Sequence, residues 1–91
     1  MADMTDGAYE KHVPVIEQDG ENVIVKVGSV EHPSLPAHYI EFILLETDGG
    51  MQMKWLKPGM APVAAFRLAG GERAIAAYEY CNLHGLWKAE V

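Results

Sequence analysis

The sequence predicts an all-β domain, a sandwich or barrel of about six or seven short strands. Three observations predict it: β-branched and aromatic residues gather in short runs, turn signals punctuate the chain at regular spacing, and helical periodicity is almost absent. The chain has 91 residues, 49% hydrophobic and 22% charged, enough apolar material for one core and too few residues for two.

In chain order, His12–Ile16 reads as a first extended segment, and Pro14 within it fits an edge position because it cannot donate to a second neighbour. Asp19-Gly20 is a turn leading into Val23–Val27, a β-branched strand. His38–Thr47 reads as a strand buried in part on both faces, and Asp48-Gly49-Gly50 after it is a hairpin signal. Beyond the hairpin, Met51, Met53 and Trp55 share one face, with Gln52 and Lys54 on the other. Pro58-Gly59 marks a further turn. Two more strands follow, Val63 to Leu68 and Arg73 to Cys81, joined through Gly70-Gly71; the stretch Asn82–Trp87 breaks alternation and reads as a loop. Residues 1–8 are polar and acidic, unlike a secretory leader, and read as a tail before a single domain over residues 9–91.

A formal charge of −6 without any basic stripe argues against nucleic acid as partner. No apolar run approaches the roughly 20 residues needed to span a bilayer. One cysteine cannot close an internal disulfide, which fits a reducing compartment and makes the cytoplasm the default location.

The residues able to hold a metal fall in three places. His12 lies on the first extended segment, His32 and His38 flank a loop stiffened by Pro33 and Pro36, and Cys81 and His84 form a C-x2-H pair directly after a strand. Each group alone is weak: a lone histidine is more often a surface or hydrogen-bonded residue, and a lone buried cysteine is usually inert packing. Together they place nitrogen and sulfur donors at strand ends and loops, where a rigid scaffold builds sites. A structural zinc site takes four ligands and usually more than one cysteine, so five candidates overfill it. Four imidazoles in a plane with one axial thiolate suit iron and leave the opposite axial position open.

These residues sit in motifs that resemble the superoxide reductase family, which includes neelaredoxin and the iron domain of desulfoferrodoxin. The matching stretches are Glu10-Lys11-His12-Val13-Pro14, Glu31-His32-Pro33 through Ala37-His38-Tyr39-Ile40, Trp55-Leu56-Lys57-Pro58-Gly59 and Tyr80-Cys81-Asn82-Leu83-His84-Gly85-Leu86-Trp87. The resemblance runs in family order from Tyr9 onward. It implies a seven-stranded immunoglobulin-like β-sandwich, a mononuclear iron with His12, His32, His38 and His84 as equatorial ligands and Cys81 as axial thiolate, and binding through the δ nitrogen of His84 and the ε nitrogens of the others. The implied reaction is one-electron reduction of superoxide to hydrogen peroxide, with a rubredoxin-like electron donor and assembly as a dimer or tetramer. Residues 1–8 carry no cysteine, so the rubredoxin-type centre of the larger relatives is not expected and the chain resembles the one-iron kind.

Glu10 and Lys11 are the catalytic candidates beside the site. A solvated surface pair is the ordinary fate of such residues. Adjacency to His12 favours function: Lys11 to attract the anion and order a proton-donating water, Glu10 to close on the oxidised iron from a mobile loop acting as a lid. Lys54, Lys57 and Lys88 read as solvated faces. The rival readings are a non-catalytic immunoglobulin-like binding module, which would hold no iron, and a six-coordinate electron-transfer iron protein, which would take no exogenous ligand.

Overall fold

A computed structural model describes residues 9–91; the N-terminal tail assigned to residues 1–8 lies outside the described residues. The described residues begin with a single helical turn, α1 (Tyr9–His12), followed by seven strands: β1 (Pro14–Asp19), β2 (Asn22–Val27), β3 (Ile40–Thr47), β4 (Gly50–Trp55), β5 (Val63–Arg67), β6 (Ala74–Cys81) and β7 (Gly85–Glu90). They form two antiparallel sheets, ordered β1-β2-β5 and β4-β3-β6-β7. The chain switches sheets between β2 and β3, between β4 and β5, and between β5 and β6, the connectivity of an immunoglobulin-like sandwich.

The expected turns close where the sequence places them. Asp19 pairs with Asn22 across the Gly20 turn, and Thr47 pairs with Gly50 at the β3–β4 hairpin. Pro14 lies at the start of edge strand β1, where its missing N–H leaves no ladder partner wanting. Two expectations are corrected. His12 ends α1 rather than lying in an extended segment, since Val13 N–H donates to the Tyr9 carbonyl at 2.9 Å. The stretch read as a loop turns back much sooner: residues 82–84 make the turn, and Gly85 already pairs with Cys81 at the start of β7. Gly85 has φ of 82°, a conformation that a β-carbon would strain, and this lets the chain reverse directly after the C-x2-H pair.

The core fills the space between the sheets. Val23, Val25 and Val27 on β2, with Ala64 and Phe66 on β5, face Ile43 and Leu45 on β3 and Ala77 and Cys81 on β6. Burying each of the larger aliphatic side chains contributes about 1.5–3 kcal/mol. Cys81 is therefore the last inward-facing residue of a central strand, at the end of the sandwich where α1 and the 28–39 connection meet.

Candidate metal centre

Short local devices bring three separated segments to that end of the sandwich. α1 is tied down through Glu10, whose carbonyl accepts hydrogen bonds from Val30 N–H (2.7 Å) and Ser29 Oγ (3.3 Å). Gly28 packs so closely beneath this turn that a β-carbon there would lie 2.6 Å from the Glu10 carbonyl oxygen. His12 is then stacked on Trp87, ring centroids 4.9 Å apart, and Tyr9 meets the same indole edge-on. The loop expected to be a mobile lid is thus a helical turn with a pinned backbone, while the Glu10 and Lys11 side chains are exposed.

The proline loop is closed on itself. Leu35 and His38 exchange backbone hydrogen bonds at 2.9 and 3.0 Å, and Gly59 N–H donates to Ser34 from the neighbouring connection. Asn82 clamps this loop to the turn after β6: its side-chain carbonyl accepts from Tyr39 N–H (3.0 Å) and its amide donates to the Ala37 carbonyl (3.1 Å). Trp87 Nε1–H donates to the His84 carbonyl, holding the far side of the same turn. Asn82 and Trp87 were legible only as parts of a motif or as packing. Gly28 carried no sequence signal, because the carbonyl it accommodates lies eighteen positions away in the chain.

The result is a ring of imidazoles. Centroids of neighbouring rings are 4.7 Å apart for His12–His32, 4.6 Å for His32–His38, 5.1 Å for His38–His84 and 4.8 Å for His84–His12. The His12–His38 diagonal is longer, 6.5 Å, as a four-cornered arrangement requires. His12 Nε2 lies 3.2 Å from His32 Nε2 and 3.1 Å from His84 Nδ1. Donors set at right angles on a first-row ion with bonds of about 2.1 Å would be about 3.0 Å apart. Cys81 Sγ completes the group at 3.7 Å from His84 Nδ1. One donor atom each from His12, His38, Cys81 and His84 falls within a mutual 4.8 Å, with His32 joined through His12.

Electrostatics prepares these groups for a cation. Burial is the main cause holding the His32 imidazole down at about 4, with the other three histidines adding to it. Its Nδ1–H donates to the Pro33 carbonyl at 2.7 Å, which fixes the tautomer and leaves the Nε2 lone pair facing His12. His38 is also lowered, first by burial, then by His84 and by the charge of Lys11, so Lys11 lies within electrostatic reach of the ring. Burial pushes the Cys81 thiol up, against hydrogen bonds from the Leu83 and His84 backbone N–H groups and with the Glu79 and Glu41 charges adding to the rise. Those two N–H groups stand ready to stabilise a thiolate once a cation favours it.

Among the described residues, His38 Nε2 is buried without a hydrogen-bond partner. An unpartnered buried nitrogen costs about 1–3 kcal/mol, and lone pairs converging from adjacent rings repel one another unless something positive lies among them. The set fits a metal ion.

Comparison with known proteins agrees with this geometry. The desulfoferrodoxin family model matches residues 4–90. The chain belongs to the desulfoferrodoxin family. It is 48% identical to a desulfoferrodoxin of Clostridium acetobutylicum over 91 residues, all of this chain and 70% of that protein. Among solved structures it is similar to a superoxide reductase from Treponema pallidum, with TM-score 0.89, 48% identity, and coverage of 93% of this chain and 70% of the other. A one-iron superoxide reductase from Giardia intestinalis matches at TM-score 0.77 and 36% identity, over 90% of this chain and 97% of that one. Membership in the family explains why histidines far apart in sequence meet a cysteine at one end of the sandwich.

Proposed function

We propose that this protein is a superoxide reductase that holds one iron through His12, His32, His38, His84 and Cys81 and converts superoxide, one electron and two protons into hydrogen peroxide. The observation that supports this reading best is the four-cornered ring of imidazoles with a cysteine sulfur against it. Iron bound there supplies the one-electron reduction, with a thiolate donor tuning its electron density.

The protein's own contribution is orientation, charge and protons. The Pro33 carbonyl and the Trp87 ring fix the His32 and His12 ring planes, so little reorganisation accompanies metal binding. The Leu83 and His84 N–H groups temper charge on the Cys81 sulfur. The molecule carries a formal charge of −6, which opposes an anionic substrate, so attraction has to be local. Lys11 is the cation assigned to this role: it is exposed, one residue before His12, and close enough to lower His38. Lys88 is not placed for this role, because it is paired with Glu90 at 3.3 Å. Lys11 also holds a water from which the product takes its protons, and Glu10 acts from the same turn beside the site.

The electron comes from a rubredoxin-like donor. The lone thiol, buried and without a disulfide partner, supports a reducing compartment such as the cytoplasm. Among the described residues no helix is long and apolar enough to cross a membrane. The test is to supply superoxide to the iron-loaded, reduced protein and follow both products: peroxide without dioxygen supports reduction, whereas dioxygen in step with peroxide would mean dismutation. Azide or cyanide binding to the oxidised protein separates an open site from a saturated electron carrier.

A further inference from the structure

We infer that Asn82 is a positioning residue for the proposed metal centre, on which this inference rests: its side chain couples the His38 loop to the Cys81–His84 turn and sets where those ligands stand relative to one another. Asn82 is not among the five candidate ligands. It lies between them, directly after Cys81 and two residues before His84.

The β3–β6 ladder explains how one side chain reaches both segments. Ile40 pairs with Cys81, and beyond that pair the two chains diverge, one into the proline loop and the other into the turn at residues 82–84. Hydrogen bonding continues for one more residue all the same. Asn82 N–H donates to the Tyr39 carbonyl at 3.2 Å, and the return bond from Tyr39 N–H, 3.0 Å, ends on Asn82 Oδ1 instead of a backbone carbonyl. The side chain thus stands in for a strand backbone while the chain itself turns away. Its other end, Nδ2, donates to the Ala37 carbonyl at 3.1 Å. Ala37 and Tyr39 are the chain neighbours of His38, so Asn82 grips the backbone on both sides of this ligand. Leu35 takes the remaining two groups, through its exchange with the His38 N–H and carbonyl. Every backbone hydrogen-bonding group from the Ala37 carbonyl to the Tyr39 carbonyl is therefore held, two by Leu35 and three by Asn82.

The residue type is matched to the task. Bridging an N–H and a carbonyl needs an acceptor and a donor on one short planar group, which asparagine supplies. Ionised aspartate offers acceptors only and would turn an oxygen on the Ala37 carbonyl; alanine offers neither. The same grip has a second consequence at the sulfur. Leu83 and His84, whose N–H groups hydrogen-bond to Cys81, follow Asn82 in the turn, and Trp87 holds the far side at the His84 carbonyl. Releasing Asn82 would shift His38 against His84, whose ring centroids are 5.1 Å apart, and loosen the donors at the sulfur. Residues that orient ligands without touching the ion account for about 10–100-fold in metal affinity.

The test titrates ferrous iron, without oxygen and against a competing chelator, into the metal-free protein and its Asn82→Ala and Asn82→Asp variants. The thiolate-to-iron band is recorded after oxidation, and the melting of each metal-free protein is measured alongside. Asn82→Ala should bind iron about 10–100-fold more weakly, with its band displaced, and Asn82→Asp, which keeps the acceptor, should fall between. A clamp serving only the fold would lower the melting temperature and leave the affinity and band of the folded variants unchanged; that result would overturn the inference. Should Asn82→Ala not fold, Asn82→Asp decides alone: weaker binding with a displaced band upholds the inference, and unchanged values overturn it. An unmodified protein that takes up no iron would overturn the metal centre itself and this inference with it. Reactivity with superoxide enters none of these outcomes.

Discussion

Two groups of buried polar atoms lie within a few residues of each other and have opposite circumstances. At the end of the sandwich, His12 and His32 are each 1% exposed, and His38 Nε2 has no hydrogen-bond partner among the described residues, yet the imidazoles converge on one another and on Cys81. Two residues before Cys81 on the same inward face of β6, Glu79 is fully buried and both its carboxylate oxygens lack a partner among the described residues. Burial pushes its carboxyl up to about 9, which keeps it protonated in the folded protein. Converging nitrogen and sulfur donors suit a cation, whereas an isolated buried carboxyl is a stability cost that protonation relieves.

The largest expected effect separates the two groups through the metal. Loading iron should stabilise the domain by about 4 kcal/mol or more at a thousandfold excess over the dissociation constant. Calorimetry would record that as a melting temperature raised by about 15 °C or more for a domain of this size. Removing the metal with a chelator should reverse the gain, and a protein whose melting ignores iron would leave His38 unexplained.

The metal-free protein should next respond to acid. His32 is held at about 4 when folded, while the unfolded chain takes up its proton near 6.5. The folded state thus binds fewer protons, so this stability is present above about 6.5 and is lost as pH falls towards 4, by about 3 kcal/mol in all. Denaturant titrations at pH 7 and pH 4.5 measure it, and iron-loaded protein should resist until the metal is released.

Glu79 has the opposite sign. Its folded carboxyl sits near 9 and the unfolded one near 4.5, so stability is full below 4.5 and declines as pH rises through 9. Glu79→Gln should therefore stabilise the protein at pH 8 by about 2 kcal/mol and flatten that decline. Urea midpoints for the two proteins at pH 5 and pH 8 would expose the difference; a variant no more stable at pH 8 would mean that the carboxylate has a compensating partner when ionised.

The smallest effect is kinetic. Lys11→Ala should slow the second-order reaction with superoxide about threefold to tenfold at low ionic strength, and less at high salt, where screening shortens the reach of the charge. Pulse radiolysis at two salt concentrations measures it, and equal rates at low salt would remove Lys11 from steering.

Much of this was legible in the sequence, for identifiable reasons. Strands β2, β3, β5 and β6 announce themselves through β-branched runs and glycine turns, and the C-x2-H pair and the H-x5-H loop mark the metal-binding end. The helical turn at Tyr9–His12 was not legible, since four residues are too few for a period to emerge. β7 was missed because Asn82–His84 spends three residues on the turn, leaving little alternation before Glu90. The parity of Ala77, Glu79 and Cys81 does place a carboxylate inward, but no pattern in the chain says whether it finds a partner there. Likewise Met51, Met53 and Trp55 share a face by parity, and only their exposure in the folded sheet shows that this face looks away from the core.

The convergence of five side chains on one ion is tested most directly by titrating iron into metal-free protein while recording metal content and the visible spectrum after oxidation. Saturation is expected at one iron per chain, with a thiolate-to-iron charge-transfer band that disappears in Cys81→Ser while other iron absorption persists. Saturation with no such band, or a band unchanged by Cys81→Ser, would contradict it.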